Sequence, residues 1–206
     1  MTLQVLDCTS DNVTKCAAII KNGGVVVFPT DTTYGIGCDP YNESAVERIF
    51  SIKSRDRGKA LPVLAYSTQD AQRLVHFNEP ARILASLFWP GALTIVAELV
   101  DRSIPRQITA GRSSLAVRVP ANKCALSLLQ KCHYLVGTSA NISDQQSPKT
   151  SRQIIESGMS GFDALLVDDC ISGIQSTIVD VTGAKVEIVR DGAIEPKEIF
   201  SALCST

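Results

Sequence analysis

The 206-residue sequence predicts an α/β fold built on a mixed, twisted sheet. Three observations lead there. Apolar residues recur at helical spacing in some segments and in short strand-length runs in others. The two kinds of segment interleave without a clean alternation. No repeat, low-complexity tract or linker interrupts them, and 45% of the residues are hydrophobic, enough for one sizeable core. A single domain over residues 1–206, with its core at about 10–200, is therefore expected.

The elements follow in order. Val13, Cys16, Ala17 and Ile20 fall at i, i+3, i+4 and i+7, one face of a helix that Asn22-Gly23-Gly24 ends. Val25–Phe28 reads as a strand. Val46, Ile49 and Phe50 mark a second helix, with Ser44 and Glu47 as a candidate capping box. Leu61–Ala65 reads as a strand and Thr68–Val75 as a short helix. Pro80 suits a helix N1 position, and Ile83, Leu84, Leu87 and Phe88 supply the stripe that Trp89-Pro90-Gly91 stops. Leu93–Leu99 and Leu115–Val119 are strands. Asn122–Cys132 is a helix with Cys124, Ala125, Leu128, Leu129 and Cys132 inward. Tyr134–Gly137 is a strand, Ser139–Lys149 a polar loop, and about Ser151–Ser157 a helix. Ala164–Val167, Ser176–Val181 and Val186–Arg190 are strands, and a last helix runs from Pro196 to about Leu203.

Charge and composition exclude several classes. Twenty basic residues face 21 acidic ones, so nothing global draws the chain to nucleic acid or a membrane, and any anion-binding surface must be local. The seven cysteines are odd in number and lack CxxC spacing, which argues against a disulfide framework or a zinc site. They read as small buried hydrophobes in a reducing compartment. His76 and His133 are too isolated to suggest a metal cage. The N-terminal stretch has no basic n-region or long apolar h-region, and no apolar run approaches the ~20 residues that span a bilayer. A cytoplasmic protein without a membrane role is expected.

Polar residues accumulate where apolar strands end. Phe28 runs into PTDTTYG and Val136 into GTSAN; Arg118 sits in LAVRVP, Ser176-Thr177 open STIVD, and Arg190-Asp191-Gly192 close the strand from Val186. Each alone is ordinary turn chemistry. Five together point to one pocket at the strand ends, where α/β proteins hold ligands. Lys53, Arg55, Arg57 and Lys59 add four cations within seven residues, either a solvated helix end or a phosphate clamp. Neither GxxxxGK[ST] nor GxGxxG occurs, and no GxSxG or histidine-based triad is present.

These strings, in order, resemble the YrdC family of threonylcarbamoyl-AMP synthases. The resemblance rests on PTDTTYGIGCD (29–39), KSR (53–55), WPGALTIV (89–96), LAVRVP (115–120), TSANIS (138–143), STIVD (176–180) and VRDG (189–192). It implies a twisted sheet with one large concave face. It also implies that L-threonine, bicarbonate and ATP are joined into threonylcarbamoyl-AMP and pyrophosphate. That product serves the t6A modification beside the anticodon of ANN-decoding tRNAs, with other proteins completing the transfer. The family's signature pairs fall on Lys53 with Arg55 and Ser139 with Asn141. Its ATP contacts fall on Arg55, Lys59, Ser114, Ser139, Ser147 and Arg190. Its threonine contacts fall on Thr32, Arg118, the backbone near Gly137, and Ser176. Two positions depart from the pattern: Leu64 stands where many longer members have a histidine, and Asp144 where a glycine is usual. Longer members also carry a second C-terminal domain, for which this chain ends too early.

The chemistry suits these side chains. A carbamate forms from an amine and dissolved carbon dioxide with little help, and its attack on the α-phosphorus needs positioning and charge stabilisation rather than a protein nucleophile. Magnesium would ride on the phosphates with no protein metal site. Arg118 is the candidate fork for a carboxylate. PTDTTYG is expected to wall the amino-acid pocket, with the Thr32 hydroxyl facing the guest, Gly35 and Gly37 relieving crowding, and Asp31 either facing the guest or capping the loop. Rival readings are a module that holds duplex RNA by shape, a family branch with different carbamoyl or adenylyl chemistry, and a regulatory nucleotide-binding protein.

Overall fold

The computed structural model describes residues 3–142, 146–169 and 172–204. Its strands form two mixed sheets rather than the one expected. The first holds β1 (Gln4–Asp7), β2 (Val26–Phe28), β3 (Gly35–Gly37), β8 (Thr138–Ser139) and β9 (Ala164–Val167), in the order β1-β9-β2-β3-β8. The second holds β4 (Val63–Ala65), β5 (Leu93–Glu98), β6 (Ser114–Arg118), β7 (Tyr134–Val136), β10 (Thr177–Asp180) and β11 (Glu187–Arg190), in the order β11-β10-β5-β6-β4-β7. Parallel and antiparallel pairs occur in both: β2 runs parallel to β9 but antiparallel to β3, and β5 parallel to β10 but antiparallel to β6.

The helices are α1 (Ser10–Lys21), α2 (Glu43–Lys53), α3 (Thr68–Leu74), α4 (Glu79–Phe88), α5 (Arg106–Thr109), α6 (Lys123–Cys132), α7 (Ser151–Glu156) and α8 (Pro196–Cys204). Six begin in the same way. Thr9, Asn42, Ser67, Asn78, Asn122 and Thr150 each accept a hydrogen bond from a first-turn backbone N–H, which satisfies a donor the helix cannot. For α2 this replaces the expected Ser44–Glu47 box: Asn42 caps the helix by accepting from Ala45 N at 3.0 Å. Pro80 lies in the first turn of α4, as expected, one position beyond N1. The α4 stripe is shifted: Ala81, Leu84 and Ala85 are buried, while Leu87 is 60% exposed.

Period-two alternation organises the six-stranded sheet. Leu93, Ile95 and Ala97 of β5, Leu115 and Val117 of β6, and Val179 of β10 join the main core. A second core lies where α1 packs on α6, with Val13, Cys16 and Ile20 against Leu128, Leu129 and Phe28. The inward face expected for α6 is found as Cys124, Ala125, Leu128 and Leu129, with Cys132 half-buried at its margin. Here the cysteine expectation is corrected. Cys8 and Cys124 form a disulfide that ties the start of α1 to α6, two segments 116 residues apart that no local spacing connects. Cys16 and Cys38 are buried free thiols, as expected.

The two sheets meet at a seam of glycines. The chain leaves β7 at Val136 and enters β8 at Thr138, so Gly137 crosses from one sheet to the other. A Cβ at Gly137 would lie 2.3 Å from Leu64 Cγ, and one at Gly37 would lie 2.1 Å from the Val136 carbonyl oxygen. Both contacts are far inside van der Waals range, so only glycine lets the sheets approach this closely. Gly35 is less constrained, since its nearest foreign atom would be 3.4 Å away. The expected relief of crowding thus falls on Gly37, within a strand rather than a loop.

Candidate active-site cavity

A cavity of about 650 Å³ opens beside this seam. The residues on the face of the six-stranded sheet turned away from the main core form its floor: Thr94 and Val96 of β5, Ala116 and Arg118 of β6, Ile178 of β10 and Arg190 of β11. The loop after β2 and the residues from Gly137 to Asn141 form one wall, and the segment after α2 forms the rim.

Arg118 is 5% exposed and held on every nitrogen. Its Nε donates to Gly91 O at 2.8 Å, Nη1 to Thr32 Oγ1 at 3.0 Å, and Nη2 to Asp31 Oδ1 at 2.7 Å. The same Asp31 oxygen accepts from Ala121 N at 3.0 Å. Arg190 is anchored comparably, with Nε and Nη2 donating to Ser176 O at 3.2 and 2.6 Å and Nη2 also to Ser176 Oγ at 3.0 Å. Ser176 Oγ in turn lies 2.9 Å from Thr94 Oγ1.

The rim cations bond to loop carbonyls. Arg55 donates through Nε to Lys59 O at 3.3 Å and through Nη2 to Ala60 O at 2.7 Å. Lys53, the last residue of α2, is 1% exposed. Its ammonium donates to Ser139 O and, at 2.6 Å, to Asn141 O. Burial pushes Lys53 down to about 7, with the nearby Arg55 adding to the shift. Burial also lowers Arg55, Arg118 and Arg190, and Arg190 is lowered further by Arg118 and Arg55. Such an effect on Arg190 requires the three guanidinium groups to share one region. Lys53, Arg55, Lys59, Arg112, Arg118 and Arg190 all line the cavity, against one lining acid among the described residues, Asp180. In a near-neutral chain this is a local concentration of positive charge, where the sequence allows an anion-binding surface only if it is local.

Eleven of the expected site residues line this cavity: Thr32, Lys53, Arg55, Lys59, Ser114, Arg118, Gly137, Ser139, Asn141, Ser176 and Arg190. Ser147 does not; it is buried and accepts from Gln175 Nε2 at 2.7 Å, and Gln175 is the lining residue. Arg57 leaves the cation run to pair with Glu47 on the surface. Arg112 takes its place on the lining, and its Nη2 donates to Gly58 O at 3.3 Å. Gly137 N–H donates to Pro62 O at 3.0 Å. Leu64 lines the cavity beside Gly137, whereas Asp144 lies outside the described residues. Sequence reasoning missed Arg112, Gln175, Thr94 and Asp180 as lining residues. Thr94 and Asp180 did leave a signal, as polar groups inside or at the end of apolar strands.

Comparisons with known proteins agree with this architecture. A family model for Sua5, YciO and YrdC proteins, described as telomere recombination, matches residues 18–192. The threonylcarbamoyl-AMP synthase of Pyrococcus abyssi is 34% identical over 186 residues, 89% of this chain and 54% of the relative. That of Thiobacillus denitrificans is 36% identical over 175 residues, 82% of this chain and 90% of the relative. This chain therefore spans about half of the archaeal relative and most of the bacterial one. The crystal structure of P. abyssi Sua5 complexed with L-threonine superposes with a TM-score of 0.92 at 30% identity, covering 98% of this chain and 61% of that one. Escherichia coli YciO superposes at 0.86 with 21% identity, covering 96% and 98%, a likeness of fold.

Proposed function

This chain belongs to the Sua5/YciO/YrdC family, and on that footing we propose that it is a threonylcarbamoyl-AMP synthase, a nucleotidyltransferase acting on L-threonine, bicarbonate and ATP. The observation that carries the reading is the convergence of Lys53 and Arg55, Arg118, and Arg190, from three separated segments, on one cavity. The relatives' shared name and the threonine-bound Sua5 structure support it.

In the proposed reaction the threonine amine adds to carbon dioxide, losing a proton, to give a carbamate. A carbamate oxygen then bonds to the α-phosphorus of ATP as the bond to pyrophosphate breaks. Arg118 receives the threonine carboxylate, with Thr32 and Ser176 beside it. Arg55, Lys59, Ser114 and Arg190 take the triphosphate, whose charge otherwise opposes the attack. Lys53 acts differently from a simple clamp: by holding the carbonyls of Ser139 and Asn141 it fixes the loop that presents those two residues. Ser147 contributes through Gln175. Magnesium enters on the phosphates, for which the lining offers the Asp180 carboxylate and the hydroxyls of Ser114 and Thr94.

The product serves t6A formation through downstream transfer proteins, and direct RNA contact is tested by salt-dependent binding to duplex RNA. Residues 1–206 are taken as one YrdC-like domain. No helix among the described residues is long and apolar enough to cross a membrane. A cytoplasmic location fits the proposed role, and the Cys8–Cys124 disulfide is the feature that weighs against a reducing compartment.

The test is incubation with ATP, magnesium, bicarbonate and each amino acid in turn. Pyrophosphate release with threonine, together with an acyl-adenylate of the threonylcarbamoyl mass, is expected. ATP binding without release, for any amino acid, refutes the reading.

A further inference from the structure

Arg118 has five N–H bonds and three protein partners. Two N–H bonds remain, matching the two oxygens of one carboxylate. What holds the group in that state is unequal. Gly91 O and Thr32 Oγ1 are neutral acceptors, whereas Asp31 is an ionised one, with the shortest contact of the three at 2.7 Å. Asp31 is itself buried, yet it does not line the cavity. Asp31 is fixed in turn: its backbone O accepts from Ser172 N at 3.1 Å, and its side-chain Oδ1 accepts from Ala121 N just ahead of the Asn122 cap of α6. Arg190 exerts the opposite force, since its positive charge and that of Arg118 repel.

We propose that Asp31 is a positioning residue that orients the Arg118 guanidinium and retains it beside Arg190, so that its two remaining N–H bonds meet the guest carboxylate. The inference rests on the reading of Arg118 as the carboxylate receptor. Asp31 touches no substrate; it acts through Arg118. Removing its charge while keeping its shape leaves Arg118 with neutral acceptors alone, the oxygen it shares with Ala121 among them, and so loosens its hold within the cavity. Carboxylate recognition then weakens, whereas nucleotide binding, which depends on Arg55, Lys59 and Arg190, does not.

The test uses the full chain with Asp31→Asn, which removes the charge but preserves the acceptor oxygen that Ala121 and Arg118 share, and with Arg118→Ala. Two readouts are taken: the Arg118 Nε–H resonance in a nitrogen-15 spectrum, and KM for threonine and for ATP separately. In Asp31→Asn the Nε–H signal should broaden or exchange faster. KM for threonine should rise about tenfold or more, while KM for ATP stays within about twofold. An unaltered Nε–H signal overturns the proposal. So does a parallel rise of both KM values with a lowered melting temperature, which marks a merely structural role. A broadened signal supports the positioning even when Arg118→Ala leaves threonine KM unchanged, and that second result sinks the receptor reading alone.

Discussion

The floor and the rim of the cavity are both lined with cations, but the two sets are held in different ways. Arg118 and Arg190 on the floor bond to Gly91 O, Ser176 O, Ser176 Oγ, Thr32 Oγ1 and the Asp31 carboxylate. These partners sit on or beside strands of packed sheets, so the floor is over-determined before a guest arrives. Lys53 and Arg55 on the rim bond to carbonyls of the segments at 59–60 and 139–141, which lie outside the sheet core or on its short edge strand. A phosphate that draws on them competes with the bonds that shape the rim. The floor is thus preorganised for a small carboxylate, whereas the rim is organised by its own cations and must adjust to a polyphosphate.

The comparison breaks first at Arg118. Arg118→Ala removes the floor's fork and leaves Asp31 as a buried unpaired charge, so threonine kcat/KM should fall by about a hundredfold or more. Steady-state kinetics over a threonine series checks this. Lys53→Ala or Arg55→Ala should each lower threonine-dependent pyrophosphate release by about tenfold or more with the protein still folded, as single charge-assisted contacts to phosphate or carbonyl allow. Unchanged turnover in either would remove the rim from the mechanism.

A third test sharpens the contrast through pH. Lys53 titrates at about 7 when folded against 10.5 as an ordinary lysine. Between those values the unfolded chain binds the extra proton, so this group adds stability as pH rises from about 7 toward 10.5. Below about 7 both states are charged and the burial penalty is fully present. The melting temperature of the wild type minus that of Lys53→Met should therefore grow with pH across this window. A difference that shrinks would show that the ammonium is not buried as described. The smallest effect is expected far from the cavity: Cys8→Ser breaks the tie between α1 and α6, lowering the melting temperature by several degrees while threonine KM holds.

The amphipathic and strand-length segments were legible because their signal is local. The period along α6, for instance, places Cys124, Ala125, Leu128 and Leu129 inward without reference to any distant residue. β1 escaped because it is an exposed edge strand, with Val5 half in solvent, and so lacks alternation. β3 escaped because Gly35 and Gly37 read as turn residues, although the missing side chain of Gly37 is what lets that strand sit in the seam. The division into two sheets depends on pairings such as β3 with β8, about a hundred residues apart. Eleven of the lining residues, and all but Ser147 of the expected site residues, were legible through the resemblance. The Asp31–Arg118 pair was not, since 87 positions separate the partners and an aspartate in a turn has a sufficient local explanation. Arg57 and Arg112 show the same limit: a run of cations carries no sign of which member turns away to Glu47, nor of which remote residue replaces it.

The glycine seam has a practical bearing on redesign. Because Gly37 and Gly137 admit no added carbon, an engineer who wants a roomier or differently shaped chamber cannot obtain it by prying the layers apart there. The editable positions are the apolar ones that look inward from regular strands away from the seam, Val96, Ala116 and Ile178. Swaps at these sites alter the space offered to a guest without disturbing the joint on which both halves of the scaffold bear.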